Sequence, residues 1–97
     1  MQIKLSLGVK SDLKKIKQKD LKLAGRIEKQ LTLFAQYPKH PSLRTHKLSG
    51  KVENRWSISI TKSIRMAYLV IQAENDRDPY AYFVAIGTHD QVYRDKK

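Results

Sequence analysis

The apolar residues of this chain pass from helical to strand period at the proline-bracketed loop YPKHP, residues 37–41. Before it, Ala24, Ile27, Leu31, Phe34 and Ala35 recur largely at steps of three and four, the stripe of an amphipathic helix. Beyond it, Trp56, Ile58 and Ile60 alternate with Ser57 and Ser59, the period of a strand with one wet face. Asp20 is placed to cap the striped helix, and Pro38 restricts Tyr37 and stops it. SDLKKIKQ forms an earlier helix, with Ser11 or Asp12 as N-cap and Leu13 and Ile16 at helical spacing. Ile3, Leu5 and Leu7 alternate with Lys4 and Ser6, so the chain opens on a strand, which Gly8 ends. The two helices lie almost end to end and must form an antiparallel hairpin or a sharp kink.

The second half reads as strands. LRTHKL, residues 43–48, suits a short edge strand, and SGK a turn. TKS is a tight connection. IRMAYLVIQ is apolar on both faces, as a central strand is. ENDRDP is a polar loop and YAYFVAIG the last strand. The order is βααβββ, with the short strand at 43–48 as an addition. Strands joined by short turns imply an antiparallel sheet with the helical hairpin packed on one face, an α+β fold. A chain of 97 residues holds one core, so residues 1–97 form a single domain.

Charge narrows the partners. Twenty Lys and Arg against nine Asp and Glu give a net +11, which points to a polyanion. Eight basic residues lie among three acids between Lys10 and Lys29, a pattern that a solvated helix face accounts for. Seven more fall between Pro38 and Arg65 with only Glu53 opposing. These lie in loops and strands, where solvating a helix is no explanation. No helix is both basic and bulky-apolar, so nucleic acid is favoured over a membrane surface. The N-terminus lacks the apolar core of a signal peptide and there is no cysteine, so a cytoplasmic protein is expected.

The candidate chemistry gathers at four places. GTHDQVY, residues 87–93, puts His89 just past the last strand and Tyr93 one helical turn on. His46 and Lys47 are adjacent in LRTHKLSG. Arg65 interrupts an apolar strand on the face of Ala67, Leu69 and Ile71, where it must emerge at an open surface or meet an anion. Metal-free phosphodiester cleavage needs these types: histidine moves protons near neutral pH, and arginine and lysine balance the charge of a phosphorane. Each also has a plain structural reading. His89 can be a turn residue, Asp90 a cap, His40 a loop residue, Trp56 core, and Arg65 a partner for Glu53. Zinc is not expected, because His40 and His46 lack ligand spacing and carboxylates are scarce nearby. No phosphate loop or other cofactor motif is present.

The ordered set HKLSG, WSISI, SIRMAYLV and AIGTHDQVY resembles the RelE/ParE superfamily of toxins from bacterial toxin–antitoxin modules, and within it the RelE- and YafQ-like mRNA interferases. The resemblance covers nearly the whole chain and implies the βααβββ fold. It also implies a metal-independent endoribonuclease that cuts mRNA, usually in the ribosomal A site, and an acidic antitoxin as partner. By that resemblance His89 matches the C-terminal catalytic histidine and Tyr93 the aromatic after it. Arg65 matches the arginine on the scissile phosphate, His46 a catalytic histidine, and Lys47 a lysine of the same region. Arg44, Lys51 and Arg55 extend the RNA-binding set with Lys47. Two positions depart from the YafQ-like pattern: Ser59 and Ser63 stand where a further histidine and an aspartate are expected. Glu53 does not align with the glutamate base of YoeB-like members. The same superfamily holds gyrase poisons of the ParE type, and a homologue that only binds antitoxin is the other alternative.

Overall fold

The computed structural model describes residues 1–48, 55–74 and 78–93. Strand β1 (Gln2–Leu5) leads into α1 (Leu7–Lys19) and α2 (Leu21–Gln36). A 3-10 turn, Pro41–Leu43, precedes β2 (His46–Lys47), β3 (Arg55–Ser59), β4 (Ile64–Ile71) and β5 (Tyr80–Thr88), and a short helix α3 (His89–Tyr93) follows. The α+β architecture with a helical hairpin is as the period change predicts, and the short edge strand is present as β2. The turn SGK, Lys51 and Glu53 lie outside the described residues, as does part of ENDRDP.

The first helix starts earlier than expected. Ser6, not Ser11 or Asp12, is its N-cap, with Oγ accepting from the Val9 amide at 3.1 Å. Gly8 therefore sits inside the first turn, and β1 stops at Leu5. The alternation of Leu7 is a coincidence of pattern: its side chain is exposed. Asp20 caps α2 as expected, accepting from the Leu23 amide at 3.0 Å, and Pro38 follows Tyr37, the C-cap of that helix.

The sheet order is β1-β5-β4-β3-β2. β2 to β5 pair antiparallel, but β1 runs parallel to β5, with Ile3 opposite Ala81 and Leu5 opposite Phe83. The sheet is thus mixed, which corrects the all-antiparallel expectation. Short turns dictate antiparallel pairing only for β3, β4 and β5. β1 reaches the sheet through the helical hairpin, so its direction is free to follow the remaining edge of β5.

One face carries the main core. Val9, Ile27 and Phe34 of the hairpin pack on Ile58, Ile60, Met66, Tyr68, Ala81 and Phe83. Phe34, Tyr68 and Phe83 meet with ring centroids 5.0–5.5 Å apart, Phe34 edge-on to both partners. The stripe on α2 includes a polar member that periodicity alone does not show. Gln30 is buried and its Nε2 donates to the Ser59 carbonyl at 2.9 Å, so it ties α2 to the end of β3.

The opposite face has a smaller cluster. Leu48, Ala67 and Val92 are buried together, with Val84 and Ala85 packed against them. A bulge makes this possible: Ala67 pairs with Ala85 and Tyr68 with Phe83, leaving Val84 extra. Val92 is the anchor by which α3 folds back onto this face.

Candidate functional site

The face away from the hairpin collects most of the candidate residues. Register places His46 opposite Ser57 and Ser57 opposite Ala67, with Ala67 opposite Ala85 in the next strand. Ser59, Arg65 and Gly87 form the adjacent row. Alternation puts His46, Leu48, Arg55, Ser57, Arg65 and Ala67 on this side. His46 is exposed on the edge strand.

Arg65 does not emerge as an open-surface cation. It is 8% exposed, and its Nε donates to Ser57 Oγ at 2.9 Å. Its Nη2 donates to the carbonyls of Arg44 at 2.6 Å and of Ser57 at 3.2 Å. The wet face expected for β3 is corrected at the same point. Ser57 is fully buried, because the guanidinium lies across it. Hydrogen bonds to a charged donor are worth roughly 1.5–3 kcal/mol each, enough to hold the group there. The Arg44 end of this tie is a left-handed residue, φ 46° and ψ 53°. Arg65 thus pins the turn that feeds β2 and carries His46 two residues later.

GTHDQVY is built as a capped turn. Thr88 Oγ1 accepts from the Gln91 amide at 3.3 Å, and Gln91 Oε1 accepts from the Thr88 amide at 2.7 Å. This is the reciprocal capping box, Thr at the N-cap and Gln three residues on. Thr88, not Asp90, is therefore the cap; Asp90 lies in the first turn, where a carboxylate suits the helix dipole. Gly87 is needed for the box. A Cβ there would lie 2.4 Å from Gln91 Oε1. The box and the Val92 anchor place His89 at the start of α3 and Tyr93 at its end, over the same face as His46 and Arg65. The side chains of His89 and Tyr93 are outside the described part of the structure. The T-x-x-Q signal of the box was present in the sequence, whereas the anchor role of Val92 rests on contacts with Leu48 and Ala67.

His46 lies three strand spacings from β5, about 14 Å. Arg65 sits on the strand next to β5, between the two ends of the site. The remaining cations divide. Arg55 is half-buried on this face, its Nε lacking a partner among the described residues. Lys47 pairs in register with Trp56 and its Nζ stands 5.9 Å from the centre of that ring. It therefore lies on the hairpin side of the sheet, separated from His46 although adjacent to it in sequence. Arg44 is exposed and lines a cavity on that same side. Lys51 is among the residues not described. His40 caps the 3-10 turn, its Nδ1 accepting from the Ser42 amide at 3.1 Å, in keeping with its reading as a loop residue. Ser59 and Ser63 lie near the connection to β4, where Ser59 Oγ donates to the Thr61 carbonyl and the Ser63 amide donates to Thr61 Oγ1.

Among the described residues no three His, Asp or Glu side chains come together to hold a metal ion. None of the described helices is long and apolar enough to cross a membrane.

No family model matches the sequence, and no curated protein matches it. Solved structures do. A YoeB/ParE toxin from Agrobacterium tumefaciens superposes with a TM-score of 0.74 at 18% identity, over 92% of this chain and 99% of that one. The YoeB–YefM complex from Staphylococcus aureus gives 0.70 at 19% identity, over 92% and 97%. The DinJ–YafQ complex from E. coli gives 0.69 at 18%, over 96% and 98%. At these identities the likeness is one of fold. This chain has, over nearly its whole length, the fold shared by YoeB, YafQ and related toxins.

Proposed function

We propose that the chain is the toxin of a type II toxin–antitoxin module and acts as an endoribonuclease on mRNA. The observation that carries the reading is the docking of α3. Its capping box and the Val92 anchor hold the His89 and Tyr93 positions above the sheet face that bears His46 and Arg65. Cleavage needs a base for the ribose 2′-OH, an acid for the leaving 5′ oxygen, and positive charge for the phosphorane. His46 serves as base and His89 as acid, with Tyr93 orienting a base or phosphate. Arg65 supplies charge close beneath the surface, where a low-dielectric setting strengthens it.

The roughly 14 Å between His46 and β5 leaves a path for a bound strand across Arg65. Arg55 faces that path, whereas Arg44 and Lys47 flank the β2 edge from the other side and contact RNA only where it passes that edge. The net charge of +11 draws the ribosome and its message, and the A site is the expected place of cleavage. An acidic antitoxin is the expected protein partner.

Primer extension on cellular messages after a short expression pulse tests this, wild type beside His89→Ala. New 5′ ends within codons, absent in the mutant, are the expected result. Growth arrest with intact messages and a DNA-damage response would instead indicate a gyrase poison. A folded His89→Ala variant that still cuts would remove His89 from the mechanism.

A further inference from the structure

The hairpin side of the sheet edge holds a second concave surface that the catalytic reading does not use. It is a cavity of ≈ 560 Å³ between the end of α2, the 3-10 turn and strands β3 and β4. Its floor is apolar: Phe34, Trp56, Tyr68 and Val70. Its rim is cationic, with Lys39 and Arg44 both exposed. Lys47 stands over the Trp56 ring beside it. None of the lining residues is acidic. Thr45, also in the lining, has its Oγ1 buried and without a partner among the described residues. That is the kind of group a bound peptide or a reoriented side chain satisfies.

We propose that this cavity is the docking site for an acidic segment of a protein partner, anchored by one large apolar side chain. The division of the surface argues for it. An apolar floor of this size within a cationic rim matches an amphipathic acidic peptide, whose side chain loses water on the floor while its carboxylates meet the rim. A nucleic acid is the poorer match. Base stacking needs an open ring face, and here Lys47 stands over Trp56 while Phe34 and Tyr68 pack edge-to-face on one another. The site lies across the sheet from His46, with Lys47 and His46 as neighbours on the two sides of one short strand. An occupant therefore sits beside the catalytic edge without filling it. The inference rests on the antitoxin reading for the kind of partner and is independent of the ribonuclease reading.

Trp56 is the only tryptophan in the chain, so its fluorescence reports occupancy. The probes are synthetic decapeptides of Glu, Asp and Gly carrying a single Leu, Ile, Phe or Tyr, each paired with the same peptide carrying Ala. At least one apolar peptide should shift the Trp56 emission saturably, and its Ala partner should bind roughly tenfold more weakly or worse. Lys39→Glu, a change on an exposed loop, should weaken binding by up to about fivefold, and His46→Ala should leave it unchanged. The proposal is overturned if none of the peptides moves the emission, or if the Ala peptides bind equally well. It is equally overturned if oligouridylate alone gives the saturable shift, which would make the cavity a nucleic-acid site. Because the readout is binding, it can fail while messages are still cut, and can succeed where they are not.

Discussion

Arg65 carries more of the structure than a surface cation does. Its three described hydrogen bonds join β4 to β3 and to the left-handed turn at Arg44. Truncation leaves Ser57 Oγ and two carbonyls buried without their donor, so Arg65→Ala should cost about 3 kcal/mol in urea unfolding. Arg65→Lys should recover less than half of that, since one ammonium cannot span the acceptors that the guanidinium fork reaches. A loss below about 1 kcal/mol for the alanine variant would show the tie to be dispensable. Tyr68 makes a second prediction at this scale. Burial pushes its hydroxyl pKa up to about 12 from 10.0. The folded chain then holds this proton between pH 10 and 12 while the unfolded chain releases it. Stability is therefore intact below pH 10 and falls as pH rises through about 12, by about 2–3 kcal/mol from this group. Tyr68→Phe should lack that part of the alkaline loss when unfolding is followed from pH 9 to 12.

At the scale of elements, the three helix starts are all set by side chains three residues or fewer from the amides they cap. Ser6, Asp20 and Thr88 do this for α1, α2 and α3. Only Asp20 stood out among the residues themselves, because Ser6 lies within an alternating strand pattern and Asp90 competes with Thr88 as a cap. The α3 box has a further demand, the empty space at Gly87. Gly87→Ala should displace the Gln91 side chain and cost about 1 kcal/mol, as should Gln91→Ala. The double variant should cost little more than either alone, because both remove the same contact. Full additivity in a thermal or urea cycle would mean that Gly87 is required for another reason. The same variants should lower RNA cleavage more than they lower stability, since α3 carries His89 and Tyr93.

For the whole molecule, charge and topology act together. The cations of α1 solvate the hairpin, while those of the strand region border the sheet face and its edge. Binding of single-stranded RNA should weaken with salt, and Arg55→Gln should reduce the slope of log K against log salt by about 0.7. Lys15→Gln on the exposed hairpin should leave it unchanged. Equal effects would mean that RNA has no preferred face. The helical hairpin and the strands in their order, the stop at Tyr37–Pro38 and the central place of β4 were all legible in the sequence. They rest on local matters: the spacing of apolar residues, a capping side chain, a proline. The parallel pairing of β1, the burial of Ser57 under Arg65 and the anchoring of α3 by Val92 were not. Each depends on which residues far apart in sequence come into contact. Once the apolar faces of the sheet find their partners, burial selects the neighbours, and no short stretch of chain carries that choice within itself.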